Sequence, residues 1–104
     1  MQIQHWGYAK RFYKKYRAAE RPLTVWKEAT KQATWTDFPS IKQTFNTADW
    51  HEGLVIFDIK GNDFRLITVC VFERETVYIK EVMTHEEYDK GSWKEKYKRF
   101  PNGV

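Results

Sequence analysis

The chain has 104 residues, five of them tryptophan and 17% of them aromatic, with a formal charge of +4. A chain this short buries one modest core, so residues 1–104 are expected to form a single domain, and the aromatic load excludes disorder over most of the length. No apolar run approaches the roughly 20 residues that span a bilayer. MQIQHWGYAK also lacks the apolar stretch of a secretory signal, which leaves a soluble cytoplasmic protein with no membrane partner as the expectation.

Residues 2–5 can form a short edge strand. Tyr8, Ala9, Phe12, Tyr13 and Tyr16 then recur at the spacing of a helix face. Lys10, Arg11, Lys14, Lys15 and Arg17 fill the rest of that helix. Such a stripe is ordinarily just a solvated face. Five cations with no carboxylate among them favour contact with a polyanion or an acidic protein segment.

Pro22 suits a first helical turn and opens a second helix, with Leu23, Trp26, Ala29 and Ala33 facing one way and an end expected near Trp35. Residues 37–49 mix Pro39, Ser40 and Asn46 with Ile41 and Phe45, which reads as a loop with one helical turn pinned by the two apolar residues. At Leu54 the period changes. Leu54–Ile59 reads as a buried strand, Lys60-Gly61-Asn62-Asp63 as a tight turn, and Phe64–Phe72 as a central strand. Cys70 lies in that strand as a small buried hydrophobe; a lone cysteine makes no intrachain disulfide. Glu73–Thr76 reverses the chain and Val77–Met83 returns antiparallel, a meander that the first strand can extend. Thr84 with Glu87 forms a capping-box pattern that starts a short helix at His85, ended by Gly91. Residues 95–104 are expected to be a flexible tail. The order is α+β: two helices, then a small antiparallel sheet, then a short helix.

Candidate chemistry gathers at the end of the last strand. Arg65 shares a strand face with Ile67 and Val69, and Lys80 with Tyr78 and Val82. An even register sets Val69 opposite Lys80 and Arg65 opposite Thr84, which unites these cations with the helix at His85; an odd loop or a bulge separates them. The four-residue turn Glu73–Thr76 fits the even case. No Ser-His-Asp order, glycine-rich phosphate loop or Cys/His metal spacing occurs, so neither metal nor cofactor is expected.

The order Trp26, Ala29, Ala33, Trp35, Phe38, Phe45, Ala48-Asp49, then VIFDIKGNDFRLI and VYIKEVMTHEEYDK with Trp93-Lys94, resembles the HigB toxins, a branch of the RelE/ParE superfamily. FDIKGN, FRLI and TH-E-YDK carry the resemblance together, and it covers roughly residues 1–95. EKYKRFPNGV departs from the pattern. The resemblance implies the toxin half of a bacterial type II toxin–antitoxin system. It implies an mRNA interferase that cuts messenger RNA on the translating ribosome without metal, contacts 16S rRNA there, and is silenced by a HigA-like helix-turn-helix antitoxin. It also implies two helices on one face of a twisted antiparallel sheet. Family patterns carry over onto Arg65, His85 and Tyr88 as active-site positions, followed by Lys80 and Lys60. Lys60, Lys90, Lys10, Lys14 and Lys15 are the expected RNA contacts.

Metal-free RNA cleavage needs a group to deprotonate the 2′-hydroxyl, one to stabilise charge on phosphorus and one to protonate the 5′-oxygen. Arg65 suits the second task as a bidentate phosphate clamp. Lys80 can assist as a point charge or an acid, His85 as acid or base, and Tyr88 by stacking on a base or donating a hydrogen bond. Each has a plainer reading: Arg65 pairs with Asp58 or Glu81, His85 caps a helix, and Tyr88 packs. His5 and His51 read as surface positions. Two other classes stay open, a binder of a gyrase-type target and an inactive relative serving as a corepressor or RNA-binding module.

Overall fold

A computed structural model describes residues 1–97. A short strand β1 (Gln2–Gln4) leads through His5, held at φ 68° in the left-handed region, into α1 (Trp6–Lys15). A 3-10 turn at Arg17–Ala19 follows, then α2 (Glu20–Gln32) with Pro22 in its first turn. This helix stops short of Trp35 because Ala33 is extended, which lets Trp35 turn inward until it is buried.

The stretch expected as a loop with one helical turn holds a longer element, α3 (Phe38–Thr44). Asp37 accepts a hydrogen bond from the Ser40 amide at 2.9 Å while the Ser40 hydroxyl accepts one from the Asp37 amide at 3.3 Å. That reciprocal cap, with Pro39 in the first turn, satisfies amides that would otherwise lack partners. The same stretch ends in an unexpected strand, β2 (Asp49–His51), joined to β3 (Leu54–Ile59) by Glu52 and Gly53. Both linking residues have positive φ, 48° and 89°, as a two-residue hairpin requires.

Strands β4 (Phe64–Val71) and β5 (Thr76–Thr84) complete a five-stranded sheet of order β1-β5-β4-β3-β2. The sheet is mixed, which corrects the antiparallel expectation: β1 runs parallel to β5, with Gln2 opposite Thr76. Helices and three strands separate those two segments in the chain, ample connection for a parallel pair. The turn leaves an even number of unpaired residues, as expected, but the pairs are displaced from the expected ones. Val71 faces Thr76 and Val69 faces Tyr78; a bulge between Ile67 and Thr68 then sets Ile67 opposite Glu81 and Arg65 opposite Met83. The turn begins at Phe72, one residue early, and Lys80 is the extra residue of the bulge, so it faces neither Val69 nor any other β4 residue.

Alternation along the strands gives the sheet two apolar faces. On one, Val55, Phe57, Leu66 and Ile79 pack with Ala9, Leu23 and Trp26 from α1 and α2. Phe57 lies at the hub, with the rings of Trp26, Trp35 and Phe45 within 6 Å of its own. On the other, Leu54, Ile56, Ile67, Val69 and Met83 are covered by Tyr88 of α4 (His85–Lys90) and Trp93 of α5 (Ser92–Lys96). Cys70 is half-buried against the first core, and burial pushes its thiol up to about 12 against a smaller opposing effect of the Thr68 hydroxyl. It is a packing residue with little thiolate character. No helix among the described residues is long and apolar enough to cross a membrane.

The flexible tail expected over residues 95–104 begins as ordered structure. Lys96 ion-pairs with Glu81 at 3.1 Å and the buried Tyr97 donates to the same carboxylate at 2.7 Å. Residues 98–104 lie outside the described residues.

Burial, reinforced by the hydrogen bond to Glu81 and its charge, pushes the Tyr97 phenol well above its usual value. The folded chain therefore keeps a proton that the unfolded chain releases near pH ~10. This contribution to stability is complete below about pH 10 and is lost as pH rises through the higher folded value. Urea midpoints measured from neutral to strongly alkaline pH should show Tyr97→Phe declining less steeply than the parent chain. Equal alkaline slopes would refute this account of Tyr97.

Candidate active site at the β3–β4 turn and the capped helix

A tight turn links β3 to β4, with Lys60 and Gly61 at φ 54° and 61°. Beside it begins α4, fixed by the expected capping box: the Thr84 hydroxyl accepts from the Glu87 amide at 3.2 Å, and the Glu87 carboxylate accepts from the Thr84 amide at 3.2 Å. Gly91 at φ 77° ends the helix. The His85 amide donates to the Asp63 carbonyl at 2.9 Å, so the helix start is tied to the turn. Arg65, one residue into β4, lies between them.

Arg65 does not extend into solvent. It is only 8% exposed, and its Nε lies 3.1 Å from the carboxylate of Asp58, its neighbour across the β3–β4 ladder. Nη1 donates to the Asn62 and Phe64 carbonyls at 3.0 and 3.3 Å, and Nη2 donates to the Asn62 side chain. Most of the five guanidinium donors are thereby spent inside the protein. The phosphate-clamp role expected of Arg65 does not suit this arrangement, because turning the guanidinium outward would strand Asp58 and unmake the turn. The cross-strand pairing with Asp58 is the plainer reading of the sequence, and the structure contains it.

Above Arg65 lies Tyr88, with the guanidinium carbon 4.9 Å from the ring centroid. Trp93 stacks on Tyr88 with centroids 5.0 Å apart and planes 8° from parallel, and His51 of β2 meets the Trp93 edge at 5.1 Å. Guanidinium and indole both lie against the Tyr88 ring, which leaves its hydroxyl as the polar end. Burial first, then the negative charge of Asp49, push the Tyr88 phenol above its ordinary value; Arg65 works against this, and Asp58 and Asp89 add to it. At neutral pH the group is a phenol that donates.

His85 stands one helical turn before Tyr88, exposed, with Nε2 3.0 Å from the Asp89 carboxylate. This pair holds one ring nitrogen and leaves Nδ1 for a substrate. Asp89, which in isolation would repel phosphate, is thus engaged with the imidazole. Lys60 belongs to the same turn as Asn62 and is paired with Asp63 at 3.0 Å.

The structure therefore brings Arg65, Tyr88, His85 and Lys60 into one neighbourhood and leaves the other expected residues outside it. Lys80, displaced by the bulge, lines a groove with α1; Lys10 and Lys14 line the adjoining hollow. Lys15 lies over the Tyr16 ring at 5.5 Å, and Lys90 lines a small hollow under α4 and α5. Asn62, Asp58, Asp49, His51 and Trp93 escaped the sequence reading. Asp58 was visible only as an ion-pair partner, and His51 looked like a surface residue because β2 was read as loop. Among the described residues, no group of three or more His, Cys, Asp or Glu side chains is placed to hold a metal ion.

An α+β domain here seats an imidazole–carboxylate pair and an arginine–tyrosine–tryptophan stack beside a basic turn. Residues 19–91 match the HigB toxin family, described as the RelE-like toxic component of a toxin-antitoxin system, and the chain belongs to that family. Over 52 residues it is 42% identical to the mRNA interferase toxin HigB of Escherichia coli (strain K12). It is equally similar to the mRNA interferase HigB of Escherichia coli O157:H7 and of Shigella flexneri, the matched segment being 50% of this chain and 46% of each relative. The chain thus matches about half the length of these curated relatives.

Removing Arg65 leaves the Asp58 carboxylate without its partner and Tyr88 without its support. Arg65→Ala should cost about 2–4 kcal/mol in urea unfolding, whereas His85→Ala, on an exposed position, should stay within about 0.5 kcal/mol of the parent. Similar losses from both would show that the two do not divide as scaffold and reactive group.

Proposed function

We propose that the chain is a toxin that cleaves messenger RNA on the translating ribosome in the bacterial cytoplasm, without a metal ion, and is neutralised by a HigA-like helix-turn-helix antitoxin. The reading is supported by family membership, by the names of the relatives that match half the chain, and by one structural observation above all. A single capped helix carries His85 and Tyr88 one turn apart and is bonded at its first amide to the turn beside Arg65.

Cleavage proceeds by attack of the 2′-hydroxyl oxygen on the neighbouring phosphorus. The new O2′–P bond forms as the P–O5′ bond breaks, leaving a 2′,3′-cyclic phosphate and a 5′-hydroxyl. The 2′ proton is taken up and a proton is delivered to the departing 5′-oxygen, so no external reagent is consumed. His85 is the exposed group for proton transfer, oriented through Nε2 by Asp89. Tyr88, held as a phenol, donates to the phosphoryl or leaving oxygen as charge builds there. Arg65 acts through Tyr88 as a positioning residue, and its positive charge beneath the ring favours negative charge at the hydroxyl. Lys60 stands at the rim as a phosphate contact, and Lys90 lies farther off at the end of α4. The RelE-like arrangement, two N-terminal helices on one sheet face, leaves the opposite face to this site.

Messenger RNA 5′ ends should be mapped in a bacterial host after induction of the parent chain, His85→Ala and Tyr88→Phe. The parent should create new 5′-hydroxyl ends within reading frames. Both variants should lose them by at least about a hundredfold, the range set by removing one acid–base group. Protein stripped with EDTA and returned to EDTA-free buffer should cleave on programmed ribosomes as well as untreated protein, with no transition metal added. Growth arrest with intact messenger RNA would overturn the reading in favour of a binding toxin; absence of arrest with intact messenger RNA would favour an inactive relative.

A further inference from the structure

A hollow lies away from the α4 neighbourhood, between α1 and the middle of β5. About 570 Å³ in volume, it falls within the ~300–1,000 Å³ of small-ligand clefts, and His5, Tyr8, Arg11, Lys80, Glu81 and Tyr97 contribute to its walls. Its one carboxylate, Glu81, is already engaged by Lys96 at 3.1 Å and by the Tyr97 hydroxyl at 2.7 Å. The lining thus carries three cations, Arg11, Lys80 and Lys96, against this one carboxylate. Tyr8 is 43% exposed, unusual for a large ring, and the Arg11 guanidinium sits over it at 5.0 Å.

Two backbone irregularities supply this wall. His5 adopts φ 68°, a conformation that side chains rarely take, and its ring leans on Tyr8 and Tyr78 at 5.7 and 5.9 Å. Lys80 is the extra residue of the β5 bulge. Bulges re-aim a side chain, and left-handed non-glycine residues cost free energy, so each irregularity marks a place where side-chain direction outweighed regular backbone.

The groove is also continuous with its neighbours. Through Glu81 and Lys96 it meets the hollow lined by Trp93 and Lys90 under α4 and α5, and Trp93 is the residue stacked on Tyr88. Through His5, Tyr8 and Arg11 it meets the hollow lined by Lys10 and Lys14 on α1. Hollows that share lining residues thus run from beside Trp93 across the bulge to the basic helix. They set Lys90, Lys96, Lys80, Arg11, Lys10 and Lys14 against Glu81 and Glu87, with the part-exposed Tyr8 ring, Arg11 over it, midway.

We propose that this path is a track for single-stranded RNA flanking the cleavage position, with Tyr8 as a stacking platform for one base and Arg11 and Lys80 as phosphate contacts. The proposal rests on the endoribonuclease reading for its starting point. Single-stranded nucleic acid is favoured over an acidic peptide because spaced cations beside a part-exposed ring suit an unpaired strand, whose every base offers a face to stack.

The test uses the full chain with His85→Ala, so that no probe is consumed, and a short fluorescein-labelled unstructured RNA read by anisotropy across a salt series. Tyr8→Ala with Arg11→Glu should weaken binding by at least about tenfold and flatten its salt dependence, and Tyr8→Phe alone should leave affinity near the parent's. Arg74→Glu, the same charge change in the β4–β5 turn, should have a much smaller effect. In the cleavage-competent chain the double substitution should raise KM on programmed ribosomes and leave kcat unchanged. Unchanged RNA affinity in the double variant, with a matching thermal midpoint showing that it folds, overturns the track even where cleavage persists. Displacement of RNA by a polyglutamate peptide that binds more tightly, through Tyr8 and Arg11, overturns it in favour of a protein partner. RNA binding that depends on Tyr8 and Arg11 in a chain that never cleaves supports the track and removes the nuclease reading alone.

Discussion

The buried charge of Arg65 organises this molecule's second sheet face. A guanidinium removed from water is tolerable only where its donors find acceptors and its charge finds a counter-ion. Here Asp58 supplies the charge from the neighbouring strand, Asn62 and Phe64 supply carbonyls from the turn and its edge, and Tyr88 supplies an aromatic face. Each of these contacts also fixes something functional. Asn62 shapes the turn that carries Lys60, and Tyr88 anchors the helix that presents His85. The arrangement is a fixed scaffold with exposed polar side chains at its rim, whose geometry is held by the buried contacts beneath them.

A second constraint, the bulge at Lys80, divides the cations between two places. Had the ladder continued past Thr68 without the bulge, Lys80 would have stood opposite Ile67, on the face of Arg65. Like charges would then have crowded one buried face, a costly arrangement without further carboxylates. With the bulge, Lys80 lines the groove against α1 while Glu81 takes the ladder position opposite Ile67 and receives Lys96 and Tyr97. The division sets His85, on α4, apart from Lys80, between β5 and α1. Both ends join through the Trp93 side of α5, which explains why a helix of five residues is pinned so firmly.

Much of the architecture was legible because it rests on local rules. The spacing of Tyr8, Ala9 and Phe12, the capping pair Thr84 and Glu87, the glycine ending α4 and the positive-φ turn at Lys60-Gly61 all act within a few residues of themselves. Two further local signals went unread: Asp37 and Ser40 around Pro39 announce α3, and Glu52-Gly53 announces the hairpin of β2. His85 and Tyr88 lie one turn apart on a capped helix, so their mutual placement was also readable. That Arg65 pairs with Asp58 was a reading the alternation allowed.

By itself, then, the sequence determined the α+β class, the individual helices and strands with local punctuation, and the pairing of an imidazole and a phenol on one helix. Only the tertiary structure decided that β1 joins β5 in parallel, that Lys80 leaves the Arg65 face, that His51 and Trp93 close over Tyr88, and that α1 and β5 share a basic groove. The physical reason is range. Caps, turns and periodicity are set by neighbours along the chain, whereas strand register and the burial of a charge depend on which distant groups can satisfy one another once the whole sheet is assembled.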